Sequence, residues 1–265
     1  LLSFTKVFQQ LMEGYVEGDW KGRLDYTKSE RIDKTFILEG LEKEEADVLY
    51  KVPLLGEGKE VFLYVLIEQQ STVDYSLAFR VLAYLVDVWR DIYKNTDKDL
   101  RRQKSFRLPA VFTIVLYNGD KSWTAALSVR ELVEHGEILG NFIPNVLYHL
   151  IDIPRYDIAK LKQIGNSLAG IFLLEHQSKE GEFDVVLHES LDIIDKEDNY
   201  ELWKSVVEWV IAKLRHEMPK QAGEMLKSID FSKHTRKEIK SMLETMPKKM
   251  FTLGEQKGRQ EGRQE

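Results

Sequence analysis

The sequence predicts an α/β fold: a core in the order helix, three strands, helix, strand on a mixed central sheet, followed by a mainly helical C-terminal extension. Three observations predict it. Apolar residues recur at helical spacing near the start and again over residues 74–93. Short runs rich in Val, Ile, Leu, Tyr and Phe lie between and after those stretches, nearly continuous in hydrophobicity, as in a sheet covered on both faces. Beyond residue 125 the apolar spacing becomes helical.

In residues 4–16 (FTKVFQQLMEGYV), Phe4, Val7, Phe8, Leu11 and Met12 form a stripe that Tyr15 and Val16 continue, which predicts a first amphipathic helix. DKTFIL (33–38) is short and rich in β-formers, and predicts a strand. EADVLYKV (45–52) alternates, with Ala46, Val48 and Tyr50 on one side and Asp47, Leu49 and Lys51 on the other. A turn region follows at 53–59. The next strand, 61–70, runs through seven apolar or aromatic residues and then meets Glu68, Gln69, Gln70 and Ser71 where a turn residue would be ordinary. Residues 74–93 carry Leu77, Val81, Leu85 and Val88 on one face of a long helix, with Asp74 as its expected N-cap. A polar, basic loop (94–108) leads through Pro109 to a strand over 110–119, closed by Asn-Gly. Further helices are expected over 158–174 and 202–214. The segment 219–250 reads as polar and basic with short helical pieces, and 256–265 repeats Gly-Arg-Gln-Glu. Each Gly there weakens a helix by roughly 1 kcal/mol, so this tail is expected to be frayed or partner-dependent. The expected division is 1–125 core, 126–218 helical extension and 219–265 polar tail.

Composition narrows the function. The chain has 265 residues, 43% hydrophobic and 31% charged, which is an ordinary globular balance. No apolar run approaches eighteen residues, so no membrane span or membrane partner is expected. No signal-peptide pattern opens the chain, but the first residue is Leu rather than Met, so that absence carries little weight. Cysteine is absent, which excludes disulfides, thiolate zinc sites and a cysteine nucleophile and fits a reducing, cytoplasmic setting. A net charge of −6 argues against coating nucleic acid by charge alone, while leaving room for a local basic patch. The six histidines show no HExxH spacing, and there is neither a GxxxxGK[ST] loop nor a GxSxG elbow.

Period two suggests where chemistry sits. Glu68 and Gln70 share one side of their strand and Asp47, Leu49 and Lys51 share one side of the strand before it. If those strands are neighbours, Asp47, Glu68 and Gln70 can converge at the sheet's end. Two carboxylates and an amide oxygen are hard donors suited to Mg²⁺ or Mn²⁺, and such an ion can activate water and stabilise charge on a phosphate.

The helix–three strands–helix–strand core, with Asp on the second strand and Glu-x-Gln on the third, resembles the PD-(D/E)XK nuclease superfamily with Gln in the lysine place. The stretches ADVLYKV and LIEQQSTVDYSLAFRVLAYLVDVW, then LPAVFTIVLYNGDKSW (108–123) and VLYHLIDI (146–153), resemble the Rpn family of recombination-promoting, transposase-like nucleases, as does the repetitive tail. The resemblance covers roughly residues 4–153 plus the tail. It implies metal ligation by Asp47 and Glu68, with Gln70 in the place of the lysine that positions water or stabilises developing charge. An amide can hydrogen-bond there but supplies no charge. An acid from the first helix often completes such sites, and Glu13 and Glu17 are both candidates. Arg80 matches a recurrent family arginine that could contact phosphate or, equally, pair with a carboxylate such as Asp87. Lys51, on the Asp47 side of its strand, is our own candidate for the missing cation.

The loop from Lys94 to Arg107 holds six basic residues, among them Arg101, Arg102 and Lys104, against two aspartates. It reads either as a solvated loop or as a phosphate-contacting flap beside the site. LLEHQS (173–178) imitates LIEQQS (66–71), but its upstream apolar residues follow helical spacing. On a helix Glu175 and Gln177 lie about 200° apart, so a second active site there is rejected. The expected function is a Mg²⁺- or Mn²⁺-dependent DNA endonuclease, with a possible homo-oligomer through the helical C-terminal region. The rivals are a non-catalytic DNA-binding or interaction protein on the same fold and a nuclease acting on RNA.

Overall fold

The computed structural model describes residues 1–2, 4–32, 48–56, 62–176, 183–217 and 226–246. Two compact units emerge, divided between Tyr156 and Asp157.

The first unit is α/β. Helix α1 (Thr5–Tyr15) buries Val7, Phe8, Leu11, Met12 and Tyr15, the stripe that its sequence spacing predicts. Strands β1 (Glu30–Ile32), β2 (Val48–Pro53) and β3 (Phe62–Gln70) form an antiparallel meander. Helix α2 (Leu77–Asn95) then carries the chain back so that β4 (Ala110–Tyr117) lies parallel to β3. A short helix α3 (Lys98–Arg101) sits in the connection, and α4 (Gly136–Leu139) lies between β4 and a fifth strand, β5 (His149–Asp152), parallel to β4. The spatial order is β1-β2-β3-β4-β5. A parallel step needs a crossover of a dozen residues or more, which α2 supplies.

Strand alternation gives each sheet face its own helix. Tyr50 stacks on Phe8 of α1 at 4.1 Å between ring centroids, and His149 Nε2 lies 2.9 Å from the Tyr15 carbonyl. On the other face Leu49 packs with Tyr84 and Val88 of α2, and Val115 with Leu77, Ala78 and Val81. Trp89 on α2 donates its indole N–H to the Pro109 carbonyl at 2.9 Å, fixing the helix to the entry of β4.

The second unit is helical: α5 (Ile158–Ile164), α6 (Ser167–Glu175), α7 (Phe183–Ile194), α8 (Tyr200–Glu217) and α9 (236–246). Helix α6 is buried from Ser167 to Leu174, as expected of a central helix that is apolar all round. Buried Glu197 accepts from Ser167 Oγ at 2.9 Å, and the Arg236 guanidinium lies 4.6 Å over the Trp203 ring.

Several expectations change. The expected strand 33–38 and the start of 45–52 lie outside the described residues. The stretch after residue 125, expected to be mainly helical, contributes β5 to the sheet, and the first unit runs to Tyr156. The helix expected over 158–174 is two helices. Gly165 adopts φ +59° to end α5, and the Asn166 side chain accepts from the Ala169 N–H to begin α6. Asp74 does not cap α2 directly. Ser76 precedes the helix, and Asp74 accepts from the Ser76 N–H at 2.8 Å.

Candidate active site

The C-terminal ends of parallel strands leave room for ligands where their connections diverge. Strand β3 is central, paired to β2 on one edge and β4 on the other, and its last residues register with the end of β4. Glu68 pairs with Val115 and Gln70 with Tyr117, which in turn pairs with Asp152 of β5. Gln70 is only 8% exposed, an amide held among apolar strands, and its backbone carbonyl accepts the Asn118 N–H at 3.1 Å.

The Tyr-Asn-Gly turn closes tightly on this strand end. A Cβ on Gly119 would collide with the Ser71 carbonyl and come within 2.6 Å of the Tyr117 ring, so only glycine fits there. Tyr117 donates its hydroxyl to the Lys121 carbonyl at 2.6 Å. Arg155 clamps the same turn: it donates to the Gly119 carbonyl at 3.2 Å, to the Asp120 carbonyl, and to the Asp152 carboxylate at 3.0 Å. These clamp residues were not anticipated. The Asp152–Arg155 spacing of three was the available signal.

At the start of α2, Asp74 accepts from the Ser76 N–H and hydroxyl and from Arg80 Nη1, the last at 2.7 Å. Partial burial alone would raise the Asp74 pKa; the hydrogen bonds from Ser76 and the Arg80 guanidinium outweigh it and hold the carboxyl below the ordinary range. Arg80 also donates from Nη2 to the Tyr84 hydroxyl at 3.0 Å. Asp74 is thus a carboxylate partner of Arg80, and Asp87 pairs with Arg90 at 2.7 Å.

The remaining candidates scatter. Asp47 lies outside the described residues, as does the side chain of Glu68. Lys51 pairs with Tyr64, four residues before Glu68, or about 13 Å along the strand. That offset along the strand exceeds the length of a lysine side chain. Glu13 and Glu17 are exposed. The Glu13 carboxylate accepts from Gln9 Nε2 at 2.9 Å, on the helix that covers the Tyr50 face of the sheet. Arg101, Arg102 and Lys104 sit at the far end of the unit. Strand β4 begins there with Ala110 opposite Leu63, seven residues before Gln70, or about 23 Å away. The flap beside the site is therefore corrected to a loop at the opposite end of the sheet. Asp97 caps α3 there by accepting from Asp99 and Leu100 N–H groups, and Arg101 lies 4.5 Å over the Tyr93 ring. In the second unit, Glu175 ends α6 and pairs with Lys213 at 3.2 Å, while Gln177 lies outside the described residues.

Among the described residues no group of three or more Asp, Glu, His or Cys side chains could hold a metal ion. The described donor at the strand end is the Gln70 amide, whose oxygen is of the hard type that Mg²⁺ and Mn²⁺ take.

Residues 1–202 match the family model described as "Putative transposase, YhgA-like". The chain is similar to recombination-promoting nuclease RpnC of Escherichia coli strain K12, with 27% identity over 61% of this chain and 50% of that protein. It is also similar to recombination-promoting nuclease RpnD of Escherichia coli O157:H7, with 29% identity over 43% of this chain and 40% of that protein. The chain thus spans about half the length of these curated relatives or less. No solved structure matches it significantly. With the family model running from residue 1 to 202 and both relatives named as recombination-promoting nucleases, the chain belongs to the YhgA-like transposase family that includes the Rpn recombination-promoting nucleases.

Proposed function

We propose that this protein is a cytoplasmic, Mg²⁺- or Mn²⁺-dependent DNA endonuclease of the mobile-element type, built on a PD-(D/E)XK core. One observation supports this most: β3, the strand between the antiparallel meander and the α2 crossover, ends in Glu68-Gln69-Gln70 beside β4. The last described pair of the β2–β3 ladder is Val48 with Ile67, one residue from Asp47 and Glu68 on each strand.

In this reading the Asp47 and Glu68 carboxylates hold the divalent ion, with Gln70 as a neutral neighbour. The ion, when bound, lowers the pKa of a water and offsets phosphate charge. The Gln70 amide, fixed by its buried setting, hydrogen-bonds the attacking water or a scissile phosphate oxygen. Arg80, oriented by Asp74 and Tyr84, faces the phosphate backbone near the start of α2. Arg101, Arg102 and Lys104 grip duplex remote from the cut, since about 23 Å separates Leu63, opposite the start of β4, from Gln70.

The test is supercoiled plasmid with Mg²⁺ or Mn²⁺, comparing wild type, Glu68→Ala and an EDTA control. Nicking or linearisation by wild type alone is the expected result. A clean wild-type protein that cuts nothing with either metal overturns the reading. The second reading, a non-catalytic DNA-binding protein, draws on Gln70 in the lysine place. It predicts metal-independent DNA retention that Glu68→Ala leaves unchanged.

A further inference from the structure

Two open aromatic rings stand where the chain leaves β3 and enters α2. Tyr75 is 67% exposed and Phe79 60% exposed, and the flanking Ser71, Thr72 and Ser76 are exposed and polar. The backbone sets both rings on one side. The Leu77 N–H donates to the Asp74 carbonyl at 3.3 Å, and Ser76 sits at φ −94°, ψ −4°, the geometry of the third residue of a type I turn. Such a turn holds Tyr75 in the right-handed helical region. It runs straight into α2, where the Phe79 and Arg80 N–H groups donate to the Ser76 carbonyl at 2.9 Å and 3.1 Å. Residues four apart on that spiral lie about 40° apart around its axis. Leu77, Ala78 and Val81 take the inner side, packed with Val115.

The rings belong to the same strand end as Gln70. Gln70 pairs with Tyr117, and the Tyr117 ring lies 4.9 Å from that of Trp123. The next residue, Thr124, shares a hydrogen bond with the Tyr75 hydroxyl at 3.1 Å. That bond fixes a ring otherwise in solvent, so little ordering cost attends a ligand that stacks on it. Lys121, whose carbonyl accepts from the Tyr117 hydroxyl, is exposed and has no ion-pair partner among the described residues. Aromatic faces and a cation at one strand end match the two chemistries of a nucleotide, a stacking base and a phosphate.

We propose that Tyr75 and Phe79 form a stacking platform for an unpaired nucleobase beside the cut, so that the substrate is DNA with a locally unpaired segment. This rests on the nuclease reading for the position of the cut, while the stacking itself needs no metal. In continuous duplex each base is covered on both faces by its neighbours and offers the rings nothing. An unpaired base has a face to give, whatever its identity, so the preference is for structure and not for sequence. Lys121 meets the flanking phosphate.

Fluorescence anisotropy of the full chain in EDTA, where nothing is cut, tests this with two labelled duplexes of equal length. One is fully paired, and the other carries a central bubble of unpaired thymines. Wild type should bind the bubble on the order of tenfold more tightly. Tyr75→Ala and Phe79→Ala should each weaken that preference, with unchanged affinity for the paired duplex and an unchanged circular dichroism spectrum. Tyr75→Phe, which keeps the ring, should retain most of it. Equal wild-type affinity for the two duplexes overturns the proposal, and so does a preference that survives Tyr75→Ala combined with Phe79→Ala. Plasmid cleavage with Mg²⁺ separates the two readings. Cutting without a bubble preference removes the platform alone, and a bubble preference without cutting removes the nuclease alone.

Discussion

A Cβ on Gly119 would collide with the carbonyl of Ser71, the residue that follows Gln70, and Asn118 N–H donates to the Gln70 backbone carbonyl, so the Tyr-Asn-Gly turn and the end of β3 constrain each other. Gly119→Ala should force that contact apart at a cost of about 1–3 kcal/mol, read as a lowered urea midpoint. An unchanged midpoint would mean the turn relaxes freely. Asp74 supplies a pH-dependent term. Its folded pKa is lowered, so the stability it contributes is present above the ordinary carboxylate value of about 3.9 and disappears as pH falls through the lower folded value. The stability gap between wild type and Asp74→Asn should therefore be widest near neutrality and close in acid, as urea unfolding at several pH values would show. Part of this was legible in sequence: Glu68-x-Gln70 stood out because seven apolar residues precede it. The Asp74–Arg80 pair was not, because on spacing alone Asp87 was as good a partner. The Arg155 clamp reaches across 35 residues to Asp120, which no local pattern reveals.

Elements followed their periodicity when they were long. The buried stripe of α1 and the broad face of α2 are those the spacing predicts, since every third or fourth apolar residue found the sheet. Strand β5 was missed because four residues are too few to show period two, and its place depends on pairing with β4. The break in 158–174 has a local cause that apolar spacing hides, the left-handed backbone of Gly165. Gly165→Ala should cost about 1 kcal/mol by placing a Cβ in that conformation, and Asn166→Ala about 1 kcal/mol by removing the α6 cap. Equilibrium denaturation checks both, and a neutral result for either would argue for one continuous helix.

At the scale of the whole molecule, the sheet decides which candidates can act together. Residues chosen by type alone, Lys51 and the basic loop, fall about 13 Å and about 23 Å along the strands from the acid–amide motif. By strand position, Glu68 and Gln70 fall within the last three residues of β3. The expected boundary at residue 125 ignored a strand that closes the sheet's far edge, and so split a unit that runs to Tyr156. The most direct measurement is plasmid cleavage with Mg²⁺ by Glu68→Ala, Gln70→Ala and Lys51→Ala, each checked for folding. The account predicts loss of cleavage in Glu68→Ala, a large reduction in Gln70→Ala, and a wild-type rate in Lys51→Ala. Cleavage that survives Glu68→Ala, or that vanishes only in Lys51→Ala, would contradict it.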